Sequence, residues 1–191
     1  MGRHLLFLPL LALAVGFLSC EKTTEPFKPH HSIIYVDSHN TSGKEDGSIS
    51  HPYSTIQRGI DEAEPGATVA VFAGTYEEPQ IRLKGELSVR GAGADKTVIR
   101  NGLIGEDVGN VVVSAFEIQS GLYCTGNSEL TIHHNLFTGN AGGIIARGTS
   151  SVIIRQNTFR VRGMAPPSSA RMTLIAWCRK TTLSREICRS G

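Results

Sequence analysis

Ser128, Leu130, Ile132, Asn135 and Phe137 recur 22 positions later as Ser150, Val152, Ile154, Asn157 and Phe159. A fixed period of about 20 to 25 residues, with alternating apolar positions and no helical spacing, describes a solenoid whose turns each add strands to parallel sheets. An upstream stretch, Asn110 to Gly121, fits the same template with Val113, Phe116 and Ile118 at an offset of 19. Three successive turns are therefore visible.

The residue choices within one turn follow from its shape. Ile132 and Phe137 must both point inward although five positions apart, so the chain bends between them, and Asn135 stands at the bend. Asn tolerates the left-handed conformation that a sharp bend needs. Stacked on Asn157 one coil later, it is expected to join a corner ladder of side-chain hydrogen bonds, with an ordinary turn residue as the plainer alternative. Gly139-Asn140 and Gly142-Gly143 mark the next corner, and Ile144-Ile145 the next strand.

Taken from its start, the chain opens with Arg3, a fourteen-residue apolar run from Leu5 to Leu18, and Ser19-Cys20. Fourteen residues rise about 21 Å as a helix, short of the roughly 30 Å hydrocarbon core, so 1–20 reads as a secretory signal peptide outside the fold. Phe17-Leu18-Ser19-Cys20 resembles the lipobox of bacterial lipoproteins, with Phe17 in place of the usual leucine. That resemblance implies lipidation of Cys20 and attachment to a membrane through the lipid; plain cleavage and an uncleaved anchor are the alternatives. Residues 21–31, polar and carrying Pro26 and Pro29, read as a tether, and His30-His31 as a solvated pair within it.

The repeat domain spans 32–160. Ile33 to Val36 is a strand, followed by a loop rich in Ser, Gly and charge. A helix capped by Ser54 or Thr55 runs to Glu64 with Ile56, Ile60 and Ala63 on one face, stopped by Pro65-Gly66. Thr68 to Phe72 is a strand, Ala73 to Tyr76 a turn, and Ile81 and Leu83 begin another strand. Leu87 and Val89 lead to a corner at Gly91-Ala92-Gly93, and Val98-Ile99 closes the series. The motifs His51-Pro52-Tyr53-Ser54-Thr55-Ile56-Gln57, Glu64-Pro65-Gly66-Ala67-Thr68-Val69, Ala73-Gly74-Thr75-Tyr76-Glu77-Glu78 and Leu87-Ser88-Val89-Arg90-Gly91-Ala92-Gly93 resemble, in this order, the opening of bacterial right-handed parallel β-helix proteins of the pectate-lyase-like superfamily. The resemblance covers about 33–160 and implies a solenoid whose N-terminal end is capped by the helix. It is less specific for activity, because lyases, hydrolases and adhesins share that opening.

Chemistry-bearing residues are sparse. Between Asn110 and Arg160 the only acids are Glu117, which alternation points outward on a sheet face, and Glu129, beside the coil boundary before Leu130; an approach of the two across coils as a catalytic pair is the less expected reading. Asp37, Asp46, Glu106 and Asp107 fall in loops, where solvated charge is the plainer reading and cation binding the other. His133-His134 is a tempting pair, but neighbouring strand residues face opposite sides and so are not expected to ligate one metal. His134, beside the corner, and Tyr123 are the candidate glycan contacts, against plain exposure or packing. Aromatics make up 6% of the chain, too few for an extended stacking platform. Gly91-Ala92-Gly93 lacks the third glycine and helix of a dinucleotide loop, so the cofactor is left unassigned.

After Arg160 the pattern stops. Residues 161–191 carry Arg162, Arg171, Arg179, Lys180, Arg185 and Arg189 against Glu186, a net +5, whereas residues 21–160 carry a net −4. Trp177, Ile175, Leu174, Cys178 and Cys188 do not resemble a solvated nucleic-acid-binding arm, and no nucleic-acid partner is expected. A shifted reading frame fits better. Joining each codon's third base to the next two makes Met164-Ala165 give Gly, Trp177-Cys178 give Val, and Lys180-Thr181 give Asn or Asp. One permitted reading restores a strand, a corner Asn and a Gly-Asn turn, which predicts a longer native protein. Cys124 would then stand alone, without a disulfide framework; with a genuine tail, pairing in an oxidising compartment is possible.

The sequence thus predicts an all-β fold: a short right-handed parallel β-helix of about four or five coils with an N-terminal capping helix. It predicts an exported protein, on the outer membrane or cell surface if lipidated and otherwise periplasmic or secreted. Its surface is expected to bind polysaccharide, with no catalytic residue and no metal site. Two alternatives are a fragment of a polysaccharide lyase or glycoside hydrolase with its active-site coils downstream, and a structural or adhesive repeat protein.

Overall fold

In the computed structural model, residues 33–139 and 143–160 are described. The expected export segment 1–20 with Cys20, the tether 21–31, Asn140 and Gly142 at one corner, and the tail 161–191 lie outside them. Strand β1 (Ile33–Val36) and helix α1 (Ile56–Glu62) come first. Four strand triplets follow. The first is β2 (Thr68–Val71), β3 (Gly74–Tyr76) and β4 (Ile81–Arg82), and the second β5 (Ser88–Gly91), β6 (Thr97–Ile99) and β7 (Leu103–Glu106). The third is β8 (Val111–Ser114), β9 (Glu117–Ile118) and β10 (Leu122–Thr125), and the fourth β11 (Glu129–His133), β12 (Leu136–Phe137) and β13 (Ile144–Ala146). A fifth begins with β14 (Ser151–Arg155) and β15 (Thr158–Phe159).

Each triplet is one coil, and equivalent strands pair in parallel. The six-stranded sheet has the order β1-β2-β5-β8-β11-β14, the five-stranded sheet β15-β12-β9-β6-β3, and the four-stranded sheet β13-β10-β7-β4. This is the right-handed parallel β-solenoid expected from the repeat. The register reproduces both offsets: Ile132 pairs with Ile154 and with Val113, and Phe137 with Phe159 and Ile118. Two stretches differ from expectation. Gly74 to Tyr76 is a strand, not a turn, because it pairs with Thr97 to Ile99 of the next coil. Leu103 to Glu106 is an unanticipated strand whose period-two pattern is obscured by Gly105, which is buried where a larger side chain would signal the core.

Alternation decides what is inside. Val69, Val89, Val113 and Ile132 form one inward column on the six-stranded sheet and are fully buried, and Leu103, Leu122 and Ile144 do the same on the four-stranded sheet. Each such side chain contributes roughly 1.5–3 kcal/mol through removal of apolar area from water. The corners are held by polar side chains inside the coil. Ser128 and Ser150 are fully buried; the Ser128 hydroxyl donates to Thr125 O at 2.7 Å and accepts from Val108 N–H at 3.1 Å.

At the opposite corner Asn157 Oδ1 accepts from the Asn135 backbone N–H at 2.9 Å and from its Nδ2 at 3.1 Å, while Asn135 Oδ1 accepts from Phe116 N–H at 3.0 Å. Asn135 Nδ2 also donates to Val113 O, and Asn157 Nδ2 to Ile132 O. The left-handed residue of this bend is not Asn. It is the residue before: Ala115 at φ 63°, His134 at φ 55° and Gln156 at φ 50°. Asn serves the corner through its amide, which requires the side chain to point inward while its predecessor makes the bend.

The N-terminal end is closed by α1. Thr55 Oγ1 accepts from Arg58 N–H, and the Glu78 carboxylate accepts from Ile56 and Gln57 N–H at 2.6 and 2.9 Å, so the orphan donors of the first turn are satisfied. Gly59 allows close approach, since a Cβ there would stand 2.6 Å from a Val36 methyl. The Gln57 amide accepts from Arg82 N–H at 2.7 Å and donates to Arg82 O at 3.2 Å, taking the place of a neighbouring strand on β4. The free edge of β1 is covered by Gly47 and Tyr53: Tyr35 N–H donates to Gly47 O, and Asp37 N–H to Tyr53 O, each at 2.8 Å. Among the described residues no helix is long and apolar enough to cross a membrane.

Candidate functional site

The four-stranded sheet turns one face to solvent. Its register aligns Ile104 with Tyr123 and Tyr123 with Ile145, so these three outward side chains form a column across β7, β10 and β13. Glu106 and Thr125 occupy the parallel column, and Arg147 follows the end of β13. Gln80, Ile104, Tyr123, Thr125, Ile145 and Arg147 line an open groove of about 270 Å³. One aromatic ring thus lies between two aliphatic side chains, with a phenol, a hydroxyl, an amide and a guanidinium around it. Such a surface offers an apolar platform for a sugar ring's C–H face and hydrogen-bonding groups for its hydroxyls. Of its lining, sequence reasoning selected Tyr123 alone. The repeat carried the missing signal: the offset of 22 leads from Tyr123 to Ile145, and that of 19 back to Ile104.

His134 is elsewhere. It sits at the Asn corner between β11 and β12, exposed, so the two candidate glycan contacts do not share a surface. The expectation that His133 and His134 face opposite sides is corrected. His134 is left-handed at φ 55° and no longer follows strand alternation, which swings its ring beside that of His133. The two Nδ1 atoms are 2.8 Å apart and the rings meet edge to face at 5.1 Å. One nitrogen donates and the other accepts. Burial, followed by the charges of His134, Arg90 and Arg155, holds the His133 imidazole below the ordinary histidine range.

The carboxylates are dispersed, and several are bonded locally. Glu117 accepts from the Thr138 hydroxyl at 2.8 Å and the Gln119 amide at 3.1 Å, on the five-stranded sheet. Glu129 is on the six-stranded sheet, so the two acids of the coil region do not face one another. Asp37, Asp46 and Asp107 accept from the backbone N–H groups of His39, Ser48 and Asn127. Glu106 ends β7 and lies 3.9 Å from Arg82. Among the described residues no group of three or more His, Cys, Asp or Glu is arranged to hold a metal ion. Cys124 is buried, and burial pushes its thiol up from the ordinary range, which makes it a core residue. Asn135 and Asn157 are buried at the corner and carry structure.

Residues 92–163 match the family described as right handed beta helix region. Fold and match together define a right-handed β-helix repeat protein. No curated protein and no solved structure matches the chain.

Proposed function

We propose that this chain is an exported cell-envelope protein, attached to a membrane through a lipid on Cys20, whose β-helix surface binds carbohydrate in the groove around Tyr123. The groove is the observation that carries the reading. Its aromatic ring, paired aliphatic flanks and polar rim have the composition of a shallow sugar subsite, and it lies across three coils, so a polymer can extend along the axis. The resemblance to pectate-lyase-like proteins and the apolar N-terminal run ending at Ser19-Cys20 support the polysaccharide and export parts of the proposal.

The test is binding of the full chain to a panel of neutral and acidic glycans. Tyr123→Ala is expected to weaken the retained glycan at least about tenfold, the loss of roughly one aromatic contact plus its buried area, with the melting temperature little changed. Silence across the panel, or undiminished binding by the variant, rejects the site. Release of unsaturated or reducing ends from a bound polymer would instead make it a lyase or hydrolase. For the anchor, detergent-phase partitioning is expected to disappear in Cys20→Ser; retention of the variant in that phase would reject lipidation.

A further inference from the structure

The two histidines beside the Asn corner form a pair that strand alternation alone would separate. In an extended strand they would face opposite sides, but the left-handed φ of 55° at His134 turns its ring toward His133, and the two Nδ1 atoms stand 2.8 Å apart. Both residues are fixed at the backbone. The His133 carbonyl accepts from Asn135 Nδ2 at 3.1 Å, the His134 N–H donates to Arg155 O at 3.3 Å, and the Asn135 N–H is held by Asn157 Oδ1 at 2.9 Å. His133 is half-buried and His134 exposed, so solvent reaches the pair. Neighbouring coils do not repeat it: Ser114 and Arg155 are in register with His133, and Ala115 and Gln156 hold the left-handed corner position of His134.

We infer that His133 and His134 together bind one divalent transition-metal ion, copper(II), through their Nδ1 atoms, with water completing its coordination. The spacing names the geometry. At metal–nitrogen distances of about 2.0–2.1 Å, nitrogens 2.8 Å apart subtend roughly 85–90° at the metal, whereas a tetrahedral site would hold them about 3.3 Å apart. A right angle is a cis edge of the tetragonal arrangement that copper(II) and nickel(II) adopt, and copper(II) binds such ligands the more tightly of the two. The proton that one Nδ1 donates to the other must leave the space between them. It moves through water to Nε2 of the same ring, so both neutral imidazoles present a lone pair at Nδ1 without net release of a proton. Bringing both lone pairs onto the metal takes a turn of roughly 45° from the line between the nitrogens, for which the exposed ring of His134 has space.

The surroundings set the conditions for loading. His133 is bordered by Ser114 from β8, Arg155 from β14, Arg90 from β5 and His134 from its own corner. Burial, followed by the charges of His134, Arg90 and Arg155, holds its imidazole below the ordinary histidine value of about 6.5, so at neutral pH its lone pair is available. The guanidinium charges oppose any cation, which leaves the advantage to the metal with the strongest demand for imidazole nitrogen, again copper(II). Protons and metal compete for the same lone pairs, so affinity falls as the pH drops through the histidine range.

The experiment titrates the full chain with copper(II) in a non-coordinating buffer, following bound metal by calorimetry and its ligands by electron paramagnetic resonance. Expected is a bound equivalent with a tetragonal, nitrogen-coupled spectrum that weakens from about pH 7.5 to about pH 5.0. His133→Gln and His134→Gln are each expected to lower the affinity for that equivalent at least about tenfold. Glutamine suits position 134, because Gln156 holds the same left-handed corner one coil on. Thermal melts without metal confirm that each variant is folded, and the rise in melting temperature that copper gives the parent chain is expected to vanish in both. His30-His31 in the tether is a second adjacent pair, so His30→Gln with His31→Gln is the control and is expected to retain the equivalent. Unchanged copper affinity in either single variant overturns the proposal, as does loss of the equivalent in the tether control alone. A thiolate-to-copper charge-transfer band, or a spectrum without nitrogen coupling, would place the metal on cysteine or carboxylate and overturn it equally. Tyr123→Ala is expected to leave copper binding intact, since the Tyr123 groove lies on the four-stranded sheet.

Discussion

The corner that enters the six-stranded sheet and the corner that leaves it meet the same steric demand by different means. At the entry, the left-handed positions of successive coils are Asp107, Gly126 and Gly148. At the exit they are Ala115, His134 and Gln156. The difference lies in where a Cβ would go. At Gly148 it would stand 2.5 Å from Gly126 O, against backbone that cannot move aside. Asp107 is tolerated one coil below Gly126 because the missing Gly126 side chain leaves room for its carboxylate, which accepts from Asn127 N–H at 2.8 Å. At the exit corner the His134 and Gln156 side chains are exposed, so there is space for them. The cost of about 1–2 kcal/mol for each non-glycine left-handed residue is offset there by the buried Asn amides. Both corners carry buried hydrogen bonds, but sterics select glycine for the left-handed position at the entry, whereas at the exit that position is open to other residues.

The largest expected effect is on the amide corner. Asn135→Ala leaves the buried Phe116 N–H without its acceptor and removes a donor from Val113 O and from the Asn157 amide, and a loss of about 3 kcal/mol is expected. Chemical denaturation checks this; a loss under about 1 kcal/mol would mean that water replaces the ladder and that the corner is not held by Asn. A matched pair of substitutions then sharpens the contrast. Gly148→Ala is expected to destabilise by about 2 kcal/mol, through the left-handed φ of 77° and the clash with Gly126 O. His134→Gly is expected to go the other way by about 0.5 kcal/mol, the relief of left-handed strain less glycine's unfolded-state entropy. Thermal melts would show the two shifts with opposite sign, and equal signs would dissolve the distinction between the corners.

The exit corner also marks how far the sequence could be read. Offsets of 22 and 19 specify which strands stack and which side chains turn inward, because period-two alternation and a fixed coil length leave one consistent register. They do not specify which residue of a bend takes positive φ. Asn135 is the residue type that tolerates it, yet His134 adopts it, and only the requirement that the amide face inward distinguishes the two. That single shift also brought His133 and His134 together. Tyr123 was legible as an outward aromatic, whereas Gln80, Ile104, Ile145 and Arg147 were not. They come from three coils, and the strand containing Ile104 was hidden by Gly105.

The Gln57 amide, bonded to both backbone groups of Arg82, has a consequence for assembly. A stack of coils is a template at any end where backbone groups remain unpaired. Here Gln57 occupies one edge at the helix end, Gly47 and Tyr53 occupy a second, and the third, β3, is only three residues long. Strand addition on the side of α1 is therefore opposed at two of its three edges by side-chain and loop contacts, and at the third by shortness. A fibre built through coil edges needs two mutually complementary ends, and the α1 end does not supply one.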